Sequence, residues 1–303
     1  MQGTATQGTA TPGQFEQFFT RIARRLVGVR EVVPVSGGCI QPAYAVTLAS
    51  GETVFAKAGT PDEMGRLKAE AGGLKALAEA NAIRVPQVFA AAGEGRHSYL
   101  VMEHLKLVPG TPASFARLGR ELAALHRAGA TGFGFERDNY IGATPQSNVI
   151  DTDWPRFFGG RRLMPQLALA ESGVHAGGWI DEGRKLAEAA RAFFPGHAPT
   201  PSLLHGDLWG GNAGFLEDGT PVLYDPAVYY GDREADLAMT ELFGGFPAEF
   251  FAAYREAWPL DAGYVTRRDF YNLYHVLNHA NLFGGNYVAQ ARDLILRLTA
   301  TIR

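Results

Sequence analysis

The chain contains a single cysteine, Cys39, among 303 residues. One thiol cannot form an intramolecular disulfide, and zinc sites built from several cysteines are excluded. Charged residues make up only 19% of the sequence and the formal net charge is −3, so the chain offers no basic surface for nucleic acid or an anionic membrane. No apolar run approaches the roughly 18 residues of a membrane span, and the polar amino terminus lacks a secretory signal. We therefore expect a cytoplasmic protein without nucleic-acid or membrane partners.

The length predicts two domains or one large bilobal unit. Residues 1–13 repeat the polar pentapeptide QGTAT and are predicted to be a disordered tail. Residues 14–103 alternate β-branched and aromatic runs with turns, which predicts a lobe with a five-stranded sheet plus helices. A proline- and glycine-containing hinge is expected over 104–112, and helical periodicity dominates 113–303. The predicted fold class is therefore α+β, with a ligand site in the cleft between a small β-rich lobe and a larger helical lobe.

Two common nucleotide-binding motifs are missing. The sequence has no G-x-x-x-x-G-K-[ST] motif and no G-x-G-x-x-G after a predicted strand, which excludes P-loop and dinucleotide-binding folds. The stretch SGGCIQPAY, with Gly37 and Gly38, lies between two predicted strands. Its backbone N–H groups suit phosphate binding, although an ordinary hairpin loop fits the pattern equally well.

The stretch LLHGDLWGGNAGFLEDGTPVLYDP, residues 203–226, is the most specific of the chain. Phosphoryl transfer from Mg-ATP requires a carboxylate that orients the attacking hydroxyl and accepts its proton, together with oxygen ligands for Mg²⁺. Asp207 suits the first role, and Asn212 and Asp225 suit the second. Their order and spacing match the catalytic loop of protein kinases. Each residue alone is equally consistent with a turn, so the prediction depends on the combination.

Lysine is scarce, with five residues against 23 arginines, and Lys57 lies in the apolar strand TVFAKAG. A charge in that position needs a partner unless its stem reaches the surface. Glu70 in the following helix is the predicted partner and Glu63 is the rival. A Lys–Glu pair of this kind holds the phosphates of ATP in kinases.

At this point the sequence resembles the fructosamine kinase (ketosamine 3-kinase) family, within the protein-kinase-like group of aminoglycoside phosphotransferases and choline kinases. The resemblance rests on HGDLW, DPAVYYGDRE and LNHANLFGGNY, and runs from about Ser36 to Gln290. It implies a protein-kinase-like bilobal fold and an ATP-dependent kinase that phosphorylates the C3 hydroxyl of a ketosamine, such as ribulosamine or fructosamine. Phosphorylation at that carbon makes the adduct labile, which implies a deglycation activity.

The same resemblance implies roles for individual residues. Asp207 resembles the proton acceptor, Asn212 and Asp225 the Mg²⁺ ligands, and Lys57 with Glu70 the phosphate anchor. The backbone of the inter-lobe hinge is implied to bind adenine through Glu103, His104 and Leu105. The family pattern often has Ser where this chain has Gly210, and the glycine-rich loop contains Cys39 and Gln41; both departures affect loop stiffness or substrate range.

Residues on the substrate side are less specifically marked. Aromatic faces and amides suit a polyol, although aromatic residues at helical spacing also pack in cores. Asp232 and Asp236 could orient the catalytic loop or meet a substrate amine, or simply begin and line a helix. The candidates for substrate contact are Trp154, Trp209, Asp232, His279 and Asn286.

The sequence also leaves open a role for Cys39 and two alternative functions. An exposed thiol in a phosphate-binding loop can crosslink two chains, which predicts a redox-dependent homodimer, although a buried inert cysteine fits equally well. A kinase of the same fold that acts on an aminoglycoside, choline or another amino alcohol is one alternative. A nucleotide-binding pseudokinase without transfer activity is the other.

Overall fold

The computed structural model describes residues 10–23, 27–35, 41–173 and 177–302. The chain divides into two compact units, the first made of Met1–Lys75 and Pro86–Lys106 and the second of Ala76–Val85 and Leu107–Arg303. Residues 76–85 belong to the second unit because the backbone of this segment bonds there: the Leu223 N–H donates to the Arg84 carbonyl at 3.0 Å.

The first unit is built on one antiparallel sheet. Its strand order is β1-β2-β3-β5-β4, so the predicted five-stranded sheet is confirmed. The β2–β3 turn contains Gly51 at φ +92°, a conformation that suits glycine. The elements are α1 (Pro12–Ala23), β1 (Val29–Val35), β2 (Ala43–Leu48), β3 (Thr53–Gly59), a 3₁₀ turn (Pro61–Glu63), the start of α2 (Met64–Glu79), β4 (Val88–Glu94) and β5 (His97–Glu103).

Helix α1 covers one face of this sheet through its phenylalanines. The rings of Phe15 and Phe18 are buried and lie 5.1 and 4.7 Å from the ring of Tyr99. The Ala10 N–H donates to the Tyr44 hydroxyl at 3.1 Å, and the helix begins at Pro12. The prediction of a disordered tail is therefore wrong for residues 10–13, because the apolar face of α1 anchors the chain just before it; residues 1–9 lie outside the described residues.

The second unit is mainly helical, with short two-stranded pairs that carry the candidate site. Strands β8 and β11, β9 and β10, and β6 and β7 pair with each other, all antiparallel. The elements are α3 (Pro112–Leu125), β6 (Asn139–Ile141), β7 (Thr144–Gln146), α4 (Trp154–Phe157), a π-helical turn (Phe158–Leu163), α5 (Met164–Ser172), α6 (Trp179–Glu188), a 3₁₀ turn (Ala190–Phe193), β8 (Ser202–Leu204), a 3₁₀ turn (Gly210–Asn212), β9 (Ala213–Phe215), β10 (Pro221–Leu223), β11 (Tyr229–Gly231), α7 (Glu234–Leu242), α8 (Ala248–Ala257), α9 (Tyr264–Phe283) and α10 (Asn286–Thr301).

The core of this unit is aromatic. Trp154 is 1% exposed, its ring stacks on those of Phe157 and Tyr229, and its indole N–H donates to the Tyr271 hydroxyl at 2.9 Å. Helix α9 runs through this core, since every residue from Phe270 to Asn278 is buried. None of the helices in the described ranges is both long and apolar enough to cross a bilayer.

Candidate active site

The segment after β8, residues 205–207, is held by one buried carboxylate. Asp236, on the first turn of α7, accepts hydrogen bonds from the backbone N–H of His205 at 2.7 Å and of Gly206 at 2.9 Å. Its Oδ2 also lies 3.2 Å from His126 Nε2, and His126 Nδ1 lies 2.8 Å from the Tyr254 hydroxyl. Burial, the largest single effect, would raise the pKa of Asp236, but the interactions with His126, His205 and the Gly206 N–H together outweigh it and the pKa is lowered. The carboxylate is thus kept ionised as a tether for this loop.

Glycine is the one residue type that fits at position 206. Its φ is +82°, and a Cβ there would lie 2.1 Å from the Ala227 carbonyl oxygen. That distance is far inside a normal contact, so any side chain would displace the backbone. The loop is therefore packed directly against the chain that follows Asp225.

His205 is a structural residue in this loop. It is fully buried, its Nδ1 accepts from the Asp207 N–H at 3.3 Å, and its Nε2 therefore donates to the Tyr224 carbonyl at 3.0 Å. Burial lowers the pKa of His205, so the imidazole stays neutral. Both ring nitrogens are occupied, which leaves no nitrogen to accept a proton from a substrate.

The three residues predicted from spacing lie together. Asn212 Nδ2 donates to the Asp207 carbonyl at 2.9 Å and to the Asp207 carboxylate at 3.3 Å, and its distance to the Asp225 carbonyl is 3.5 Å. Burial, then the neighbouring charge of Asp225, raises the pKa of Asp207 to about 7. Asp225 itself has φ +57°, a left-handed conformation that is unusual for a residue with a side chain.

These groups also fit a divalent cation. Magnesium prefers carboxylate and amide oxygens, and Asn212 turns its amide nitrogen toward Asp207, which leaves Oδ1 on the other side of the amide. Two carboxylates close enough to raise the pKa of one of them form a site whose repulsion a cation would relieve.

The predicted pair in the first unit is also present. Lys57 on β3 is 4% exposed, and its Nζ lies 2.8 Å from Glu70 Oε1 on α2. The rival Glu63 is occupied elsewhere, since its Oε2 accepts from the Thr60 N–H at 2.7 Å and its Oε1 pairs with Arg66. The scarce lysine is thus held by the partner that the sequence favoured.

The other residues predicted to contact nucleotide are in the glycine-rich loop and at the end of β5. Gly37, Gly38 and Cys39 lie outside the described residues. Glu103 ends β5, and its Oε2 accepts from the Gln87 N–H at 3.1 Å. His104 and Leu105 follow in a segment that is neither helix nor strand.

Two of the five substrate candidates are built into the interior. Trp154 is a core residue, so the prediction that it contacts substrate is wrong; the aromatic cluster around it buries the whole indole. Asp232 is 2% exposed and bonds to the Tyr271 hydroxyl at 2.6 Å, to His197 Nε2 at 2.7 Å and to the Glu234 N–H at 3.0 Å. Its carboxylate caps the start of α7 and has no surface for a substrate amine.

The remaining three candidates are more accessible. Trp209 is half-buried and precedes the 3₁₀ turn, with its carbonyl accepting from the Asn212 N–H at 2.9 Å. His279 lies among Phe243, Phe283 and Tyr287, at ring distances of 4.8, 5.5 and 5.1 Å. Asn286 is exposed at the first position of α10.

A second cluster of ionisable side chains, outside this site, is bonded to a buried arginine. His197, Glu234 and Asp261 converge, but the guanidinium of Arg267 donates to Glu234 at 2.6 Å and to Asp261 at 2.7 Å. Arg267 therefore neutralises the carboxylates, and the group is a structural ion network.

Sequence comparisons identify relatives across almost the whole chain. The fructosamine kinase family model matches residues 14–301. A protein from Synechocystis named probable ketoamine kinase is 46% identical over 269 residues, which is 88% of this chain and 90% of the relative. The chloroplastic protein-ribulosamine 3-kinase of Arabidopsis thaliana is 41% identical over 271 residues, 88% of this chain and 82% of the relative.

Solved structures agree with this result. A fructosamine-3-kinase candidate from Haemophilus somnus has a TM-score of 0.85 at 30% identity, over 94% of this chain and 96% of that one. LicA, the choline kinase of Streptococcus pneumoniae, shares the fold at 12% identity; its AMP complex has a TM-score of 0.66 over 98% of this chain and 100% of LicA. The predicted α+β kinase-like fold is confirmed, and the chain belongs to the fructosamine kinase family.

Proposed function

We propose that the chain is an ATP-dependent kinase that phosphorylates the C3 hydroxyl of ketosamines such as ribulosamine and fructosamine. The grouping of Asp207, Asn212 and Asp225 carries the proposal, because this set provides a proton acceptor beside oxygen ligands. The names of the ketoamine and ribulosamine kinase relatives support the substrate class. The product is an adduct that releases its amine, so the activity serves deglycation.

Asp207 is the proton acceptor in this proposal. The substrate hydroxyl donates a hydrogen bond to its carboxylate, the hydroxyl oxygen forms a bond to the γ-phosphorus, and the bond from that phosphorus to the leaving ADP oxygen breaks. The hydroxyl proton passes to Asp207. A carboxylate with a pKa raised to about 7 accepts a proton more readily than an ordinary aspartate.

Asn212 and Asp225 would hold Mg²⁺ through their side-chain oxygens. When bound, Mg²⁺ neutralises charge on the phosphates. The backbone positions both residues. The 3₁₀ turn places Asn212 beside Asp207, and Asp225 has a left-handed conformation just after β10.

Lys57 would pair with ATP phosphates while Glu70 fixes its ammonium group. The buried ion pair gives the ammonium group a partner and orients it in one direction. The backbone of Glu103, His104 and Leu105 is proposed to bond to adenine, since this segment leaves β5 without entering another element.

The proposal is tested by ADP release with ketosamines of three- to six-carbon sugars, on small amines and on protein. We expect turnover with ketosamines and none with choline or an aminoglycoside. Asp207→Asn should lower kcat by about 10²-fold or more. The matched control is Asp218→Asn, in the exposed β9–β10 turn, where the amide oxygen still accepts from the Thr220 N–H. Turnover of choline or an aminoglycoside alone, or full activity of Asp207→Asn, would contradict the proposal.

A further inference from the structure

The β6–β7 hairpin contacts the chain that follows Asp225 through two buried amides. Gln146 Nε2 donates to the Ala227 carbonyl at 3.2 Å, and Asn139 Nδ2 donates to the Val228 carbonyl at 2.7 Å. The two residues face each other in the hairpin register, and Gln146 Nε2 also donates to Asn139 Oδ1 at 2.8 Å. Both are at least 95% buried. We call these two side chains the carbonyl clamp.

The orientation of both amides is fixed by further hydrogen bonds. The Tyr274 hydroxyl on α9 donates to Gln146 Oε1 at 2.7 Å, and Asn148 Nδ2 donates to Asn139 Oδ1 at 2.9 Å. A flipped amide would set its N–H groups against donors and its oxygen against carbonyls. Each amide can therefore present only its nitrogen to the 227–228 backbone.

A buried arginine supports this arrangement from behind. Arg162, in the π-helical turn, is fully buried and donates to Asn148 Oδ1 at 2.6 Å and to the Ser147 carbonyl at 2.6 Å. Its guanidinium lies 4.1 Å from the centre of the Tyr229 ring, a cation–π contact. These two hydrogen bonds go to neutral oxygens of the loop after β7, so Arg162 fixes that loop and does not neutralise an acid.

The clamp acts on the backbone where two functional segments meet. The Ala227 carbonyl that Gln146 binds is the same carbonyl that leaves no room for a Cβ at Gly206. The Ala227 N–H donates to the His205 carbonyl at 2.9 Å. A shift of this peptide would therefore move both Asp225, two residues earlier, and the loop that carries Asp207.

We propose that Asn139 and Gln146 are positioning residues that hold Asp225 in its left-handed conformation before nucleotide binds. A left-handed conformation is unfavourable for a residue with a side chain, and an otherwise unsupported loop would relax out of it. Hydrogen bonds to the two carbonyls beyond Pro226 remove that freedom. The inference rests on the proposed function only in assigning Asp225 to the cation of a bound nucleotide.

The test measures cation binding without substrate or turnover. Mn²⁺ binding to the full chain in the presence of ADP is followed by electron paramagnetic resonance for Gln146→Met, which keeps the length of the side chain and removes both donors. We expect Mn²⁺ affinity to fall about 10-fold, the lower end of the effect of losing a residue that supports a metal ligand. Asn139→Ala should act in the same direction.

The matched control is Gln166→Met. Gln166 is also buried, and its amide bonds to Asn278 and Asn281 at 3.1 and 2.7 Å and not to the Ala227 or Val228 carbonyl. Both methionine variants should lower the melting temperature to a similar extent, and only Gln146→Met should weaken Mn²⁺ binding. Equal Mn²⁺ affinities in the two variants, or unchanged affinity in Gln146→Met and Asn139→Ala, would overturn the inference. Because no ketosamine is present, an error in the proposed substrate would leave this result unaffected.

Discussion

Lys57, which we propose anchors phosphates, and the loop that carries Asp207 are positioned in two different ways. Lys57 lies inside a regular strand, and an ion pair to Glu70 orients its ammonium group. The loop at 205–207 belongs to no regular element. The Asp236 carboxylate accepts two of its backbone N–H groups, and Gly206 has a positive φ and packs against the Ala227 carbonyl. The backbone beneath a side chain on a sheet is already fixed by the strand hydrogen bonds, whereas a loop needs its backbone hydrogen bonds supplied from elsewhere.

The largest effect on kcat is expected at Gly206, where the loop has no room for a side chain. Gly206→Ala should lower kcat by more than about 10²-fold, because the methyl group would push the Ala227 carbonyl away and misplace Asp207. Steady-state kinetics and the melting temperature measure this.

The control for that variant separates strain from collision. Gly219→Ala has nearly the same φ, +80°, but the nearest atom to its added Cβ is 3.8 Å away. It should lose about 1 kcal/mol of stability from backbone strain and keep its kcat. Equal losses of kcat in both variants would show that backbone strain, and not the contact with Ala227, sets the requirement for glycine.

The ion pair in the first unit should give the next largest effect. Lys57→Met should lower kcat/KM for ATP by about 10²-fold, the usual cost of losing one positioned donor to a developing charge. KM for the ketosamine should change little. Glu63→Gln is the control, since Glu63 bonds to Thr60 and Arg66 instead of Lys57; if it matched the loss in Lys57→Met, the assignment of Glu70 as partner would be wrong.

A smaller effect is expected from the tether itself. Asp236→Asn preserves one acceptor for the backbone N–H groups and loses the charge, so kcat should fall about 10-fold, the equivalent of one charge-assisted hydrogen bond. Asp269→Asn, which changes a partly exposed carboxylate paired with Arg268, should leave kcat unchanged. Wild-type kcat in Asp236→Asn would mean that the loop is fixed without this charge.

The smallest effect concerns pH and a region away from the catalytic loop. Burial is the largest single effect and lowers the pKa of His197, but the hydrogen bond that His197 donates to Asp232 and the charges of Asp232 and Glu234 together outweigh it, so the pKa is raised above 6.5. The protonated histidine therefore stabilises the fold below pH 6.5, and this contribution is lost as pH rises through the folded-state pKa. The stability difference between wild type and His197→Gln should shrink by less than about 1 kcal/mol over that range, as measured by unfolding at a series of pH values. A difference that grows with pH would reverse the sign of this assignment.

The comparison also explains which parts of the site are visible in a sequence. Asp207, Asn212 and Asp225 lie within 19 residues, and Lys57 is one of five lysines, so short spacing and rarity identify them. The supports come from far along the chain: Gln146 bonds to a carbonyl 81 residues away, and His126 to a carboxylate 110 residues away. No local pattern marks such partners, although two amides in a short hairpin, NYIGATPQ, are polar residues at positions where a strand usually buries apolar ones.

The errors have the same origin. Tryptophan is a residue type that suits a sugar-binding pocket. Only the contacts with Phe157, Tyr229 and Tyr271 show that Trp154 belongs to the core. Residues 10–13 overlap the end of a polar repeat, and only the hydrogen bond from Ala10 to Tyr44 and the start of α1 at Pro12 show that they belong to the fold. Burial is decided by the partner surface, which the sequence does not display.

The placement of two tryptophans gives the protein separate optical reporters. The buried indole of Trp154 is sealed among aromatic rings, so its emission should be blue-shifted and should change only when the second unit unfolds. The half-buried Trp209 stands two residues from Asp207, so its quantum yield should follow occupancy of the catalytic loop. Replacing Trp179 and Trp258 with phenylalanine would leave a chain whose fluorescence distinguishes ligand binding from denaturation in a single sample.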